Sequence, residues 1–133
     1  MGVSTDGPDW TYLQSWPGVA ADVSAARHFV AQRLEIHDLH ALVPWVSLVA
    51  SELATNAVRH AGTPFTVTLE QTDGVVVLGV EDGSETVPRQ MPWDSSAPGG
   101  RGLFLVNAYA QECGVTLRSG VTHGKLVWAR FIP

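Results

Sequence analysis

Hydrophobic and polar positions change their period several times along the chain, and each change marks an element. Trp10, Tyr12, Gln14 and Trp16 alternate with Thr11, Leu13 and Ser15, which predicts an edge strand ended by Pro17-Gly18. From Ala21 to about Leu34 the apolar positions Val23, Ala26, Val30 and Leu34 recur at helical spacing, and Phe29 widens the stripe. A longer helical pattern runs from about Leu42 to His60, with Val46, Val49, Leu53, Ala57 and Val58 on its apolar face. Gly62 and Pro64 stop it.

The period then shortens to two. Phe65, Val67 and Leu69 alternate with Thr66, Thr68 and Glu70, and after the turn Thr72-Asp73-Gly74 a second strand is predicted over Val75 to Val80, making a hairpin. From Asp82 to Arg101 there is no sustained period, and Pro88, Pro92 and Pro98 interrupt the segment. A loop of this length inside a small domain reads as a lid or binding segment. Leu103 to about Gln111 has the apolar density of a buried helix, and Val115 to Ser119 and Leu126 to Ile132 read as two closing strands around Thr122-His123-Gly124. The predicted fold is α+β: a two-layer α/β sandwich, with helices covering one face of a mixed, mostly antiparallel sheet. Residues 1–9, rich in Gly, Ser, Asp and Pro, read as a flexible leader, and residues 10–133 as a single domain.

Composition narrows the function. A chain of 133 residues with 45% hydrophobic residues suits one compact domain. The formal net charge of -5, with eight scattered Lys and Arg, argues against direct nucleic-acid binding. Cys113 is the sole cysteine, so no intrachain disulfide forms and a reducing cytoplasm is the expected setting. The first residues lack the basic and apolar regions of a signal peptide. No stretch is read as approaching the ~20 apolar residues of a membrane span, so a soluble protein without membrane attachment is expected.

Three short segments could carry chemistry. Glu52 and Asn56 lie one helical turn apart, roughly 40° around the axis, and border the apolar face. Asn supplies a neutral oxygen suited to a divalent cation, and Glu can orient or deprotonate an attacking group. Asp82 ends the apolar strand and is followed by Gly83. At the closed end of a pocket an ionised carboxylate, which only accepts hydrogen bonds, could select a base bearing an exocyclic amine. Gly99-Gly100-Arg101-Gly102 runs straight into the predicted helix at Leu103, a geometry that favours phosphate at a helix N-terminus. Taken alone, each has a plainer reading: a solvated helix pair, an Asp-Gly turn, a loop-to-helix junction. The five histidines show no zinc-site spacing, and no nucleophile elbow is present.

In order, ELATNAVRHA at Glu52 to Ala61, VEDGS at Val80 to Ser84 and GGRGLFLV at Gly99 to Val106 resemble the N, G1 and G2 boxes of the GHKL ATPase superfamily. The phrases SELATNAVRHAGTP and GKLVWARF look most like its stand-alone anti-sigma factor serine kinases of the actinobacterial type. The resemblance implies the Bergerat fold, ATP and Mg²⁺ as cofactors, Glu52 as general base and Asn56 as the magnesium ligand. It further implies Asp82 as the adenine reader with Gly83 and Ser84 in its turn. The backbone of Gly100 and Gly102 would close over the phosphates, with Gly99, Arg101 and Leu103 as neighbouring cofactor-binding residues and Glu85 to Pro98 as the ATP lid.

The implied substrate is a serine or threonine of a small STAS-type antagonist, which when unphosphorylated releases a bound sigma factor, and a homodimer is implied at family level. Three departures are visible. Ser84 and Thr86 replace the later glycines of a DxGxG box, and Leu126 stands where a threonine often supports the adenine-bound water. No phospho-accepting histidine segment precedes the domain, as a complete sensor histidine kinase would require. A protein kinase acting in transcription regulation is the expected function, and a nucleotide-poor, non-catalytic partner-switching module or a hydrolytic ATPase module are its alternatives.

Overall fold

A computed structural model of the chain describes residues 9–84, 110–118 and 124–133. The elements run β1 (Trp10–Trp16), α1 (Ala21–Ile36), a 3-10 turn (His40–Leu42), α2 (Val43–Asn56), a π-helical turn (Ala57–Ala61), β2 (Phe65–Thr72), β3 (Val75–Asp82), β4 (Ala110–Arg118) and β5 (Gly124–Phe131). The five strands form one sheet in the order β1-β2-β3-β5-β4, so β1 is an edge strand as its pattern predicts. Every pairing among the described residues is antiparallel, in keeping with the expected, mostly antiparallel α+β sandwich.

Strict alternation decides which face of the sheet is covered. Phe65, Val67, Leu69 and Gln71 of β2, Val76, Leu78, Val80 and Asp82 of β3, and Lys125, Val127, Ala129 and Phe131 of β5 are all buried. Cross-strand partners in an antiparallel pair share a face, so the register aligns these three rows into one inward surface. Against it lie Ala26, Phe29, Val30 and Leu34 of α1 and Val46, Val49, Ala50, Leu53 and Ala54 of α2. Each large apolar side chain removed from water there contributes roughly 1.5–3 kcal/mol before entropy is counted. Trp16 of β1 joins the layers, edge-on to Phe29 at 5.7 Å and stacked on Phe65 at 5.6 Å between ring centroids.

Polar contacts fix the ends of the helices. The Asp22 carboxylate, in the first turn of α1, accepts the N–H groups of Gly18 and Val19 through Oδ2 at 2.9 and 2.8 Å. It ties the two residues ahead of the N-cap Ala20, which has no capping side chain of its own, to the first turn of the helix. At the other end of α1, His37 stacks on Trp10 at 4.3 Å, and its Nε2 is 2.8 Å from the Tyr12 hydroxyl. Gly62, at φ +62°, ends the π turn in the left-handed conformation that terminates helices.

Two expectations are corrected. The predicted helix from Leu103 cannot reach Gln111, because β4 already begins at Ala110 and pairs Ala110 with Phe131. Ala110, Cys113 and Val115 of this edge strand are partly buried against the core, while the rest of that predicted helix lies outside the described residues. The helical run His40–Arg59, 20 residues with mean hydropathy 1.3, is long and apolar enough by length and composition to cross a membrane. Its most buried side chains are core residues packed between α1 and the sheet. The leader residues 1–8 also lie outside the described residues.

Candidate functional site

Glu52 and Asn56 occupy successive turns of α2, both half-buried, on the helix that packs directly on β3. The chain stays helical through Asn56 (φ −62°, ψ −42°) and Ala57 (φ −61°, ψ −45°) and then widens into the π turn, a distortion that recurs at functional sites. Both side chains offer hard oxygen atoms of the type Mg²⁺ accepts. Among the described residues no three His, Cys, Asp or Glu side chains gather as a metal cage. A cation held by Asn56 would therefore take its other oxygens from phosphate and water, the usual habit of Mg²⁺.

Asp82 is the last residue of β3 and belongs to the inward row, so it is a strand residue and not part of a solvent-facing turn. Its side chain is 3% exposed. Lys125, the second residue of β5, stands directly opposite in the ladder, and its own side chain is 2% exposed. The Lys125 ammonium donates to both carboxylate oxygens of Asp82, at 2.9 Å to Oδ1 and 2.8 Å to Oδ2. The Ser84 N–H adds a third bond to Oδ1 at 2.9 Å. A charge buried this deeply needs a partner of opposite sign, and Lys125 is that partner.

Two glycines make this corner possible. A Cβ on Gly124, which sits at φ +152°, would lie 2.2 Å from the Asp82 carbonyl oxygen, so only a bare backbone brings Lys125 this close to the end of β3. Gly83 lies against Thr63, whose hydroxyl oxygen accepts the Gly83 N–H at 2.9 Å. Thr63 also abuts Gly18, where a Cβ would lie 2.3 Å from the Thr63 carbonyl oxygen. The segment that leaves the π turn thus meets the start of α1 and the end of β3.

The structure brings Asp82, Gly83 and Ser84 into one corner and sets Glu52 and Asn56 on the helix packed against the same strand. Gly99, Gly100, Arg101, Gly102 and Leu103, together with the lid segment and Thr86, lie outside the described residues. Leu126 pairs with Glu81 in the ladder, on the outer face, where its Cδ1 would be 3.0 Å from a Cβ on Gly79. The inward position beside Asp82 is held by Lys125, which the sequence reading passed over. The signal was there: carrying the alternation Phe131, Ala129, Val127 two residues further back lands on Lys125.

No curated protein matches the chain. A family model described as the histidine kinase-like ATPase domain matches residues 17–131, from just after β1 to the last residue of β5. ATP binding is the property this family implies. The α+β sandwich agrees with it, and the chain belongs to the histidine kinase-like ATPase domain family.

Proposed function

We propose that the chain binds ATP with Mg²⁺ and transfers the terminal phosphoryl group to a serine or threonine of a STAS-type antagonist, while also sequestering a sigma factor in the cytoplasm. The observation that supports it most is the placement of Glu52 and Asn56 on the helix packed against β3, whose end carries the inward carboxylate of Asp82. In this reading Glu52 takes the proton of the acceptor hydroxyl as its oxygen bonds to the γ-phosphorus and ADP departs. Asn56 offers its amide oxygen to Mg²⁺, which when bound neutralises phosphate charge. The backbone of Gly100 and Gly102 holds the phosphates, and Asp82 reads the adenine amine.

Radiolabelled ATP, Mg²⁺ and a candidate STAS protein test the transfer. Label on the antagonist with wild-type protein, and its loss with Glu52→Ala while nucleotide is still bound, are expected. Absence of transfer to any STAS protein would sink the kinase reading, and unchanged transfer by Glu52→Ala would remove Glu52 as the base.

One observation favours a second reading, a nucleotide-poor module that acts by docking to partners. Asp82, the adenine-reading carboxylate of the first reading, already has both oxygens engaged by Lys125. Partner binding that is indifferent to ATP over its whole titration range would favour this reading.

A further inference from the structure

An exocyclic amine can be read by Asp82 only through carboxylate oxygens that are accessible to it. Both oxygens here accept hydrogen bonds from the Lys125 ammonium at 2.9 and 2.8 Å, and one also accepts the Ser84 N–H. The ammonium is as deeply buried as the carboxylate. Any amine that takes its place must either leave that charge without its partner or drive the side chain toward water. The position of Lys125 is not an accident of a mobile side chain: it is set by the register Asp82↔Lys125 and by the backbone contact of Gly124 with Asp82.

We propose that Lys125 determines how the site discriminates purines, competing with a 6-amino group for Asp82 and thereby lowering affinity for adenine nucleotides. This rests on the reading of Asp82 as the base-contacting carboxylate. Lys125 acts as a built-in occupant of the acceptor pair, and a 6-aminopurine binds only by displacing it. Methionine, one heavy atom shorter than lysine, vacates the ammonium's place beside the carboxylate while its stem keeps the packing. Hydrogen bonds from a charged partner are the stronger kind, so releasing them should shift affinity by about tenfold.

The test titrates wild-type protein, Lys125→Met and Lys125→Gln with ATP and with purine riboside triphosphate, which lacks the 6-amino group. The Gln variant keeps one amide donor for the buried carboxylate, so it remains informative if the Met variant does not fold. ATP is expected to bind Lys125→Met about tenfold more tightly than wild type, with Lys125→Gln between them and the unsubstituted purine unchanged. Equal ATP affinities in all folded proteins would overturn the competition while leaving the ATP site intact. An equal gain for both nucleotides would overturn it too, because the effect would not pass through the amine. Absence of saturable binding of either nucleotide to every protein would overturn the nucleotide site itself, and this inference with it.

Discussion

Lys125 Nζ lies within 2.9 Å of both carboxylate oxygens of Asp82, and the two side chains close the inward face of the sheet as a buried ion pair. Such a pair stabilises the fold mainly in the sense that neither member tolerates the loss of the other. Asp82→Ala should destabilise the domain by about 3–5 kcal/mol, because it leaves a buried ammonium unpaired. The double replacement Asp82→Leu with Lys125→Met should lie within ~1 kcal/mol of wild type. Urea denaturation of both variants checks this, and equal loss in the two would mean that packing at this corner, not charge pairing, dominates.

The two left-handed glycines flanking the site should behave differently. A Cβ on Gly124 meets the Asp82 carbonyl oxygen at 2.2 Å, whereas a Cβ on Gly62 meets nothing within 4 Å. Gly62→Ala should cost only the backbone strain of about 1 kcal/mol. Gly124→Ala must push β5 away from the end of β3, at roughly 3 kcal/mol or more. Thermal unfolding of the two variants side by side gives the comparison.

Cys113 sits half-buried in β4 beside Glu112. Burial pushes its thiol pKa above the usual thiol value, and the Glu112 carboxylate adds to the rise. The thiolate is the reactive form, so alkylation by iodoacetamide at neutral pH should be slower than for a free thiol, with its pH midpoint displaced upward. Glu112→Gln should move that midpoint partly back, since it removes the smaller of the two causes. A midpoint unaffected by Glu112→Gln would leave burial as the whole cause.

Most of the fold was legible because one face of the sheet is buried throughout. Period-two alternation in β1 and β2 named the inward rows, and helical spacing named Ala26, Val30 and Leu34 on α1 and Val46, Val49 and Leu53 on α2; β3, a continuous apolar run, was legible as a strand but not by face. The pattern failed where a polar residue took an inward position. Asp22 reads as a surface residue until its two bonds to the preceding backbone are seen. Lys125 falls between the predicted turn and strand, and its partner lies 43 positions earlier. Alternation can put Lys125 on the inward face but does not say which residue it meets across the sheet, so Asp82 could be proposed as a base reader without its occupant. The start of β4 was missed for another reason: in the sequence Ala110 ends the apolar run from Leu103, and such a run fits a buried helix as well as a strand.

Binding of ATP through Asn56 and a magnesium ion is tested most directly by equilibrium titration of the wild-type chain and Asn56→Ala with ATP, with and without Mg²⁺, followed through the fluorescence of the five tryptophans. Saturable, Mg²⁺-dependent binding by the wild type is predicted, at least about tenfold weaker in Asn56→Ala, as expected when an oxygen ligand of the cation is lost. A wild-type titration that never saturates, or one that neither Mg²⁺ nor Asn56→Ala alters, would contradict it.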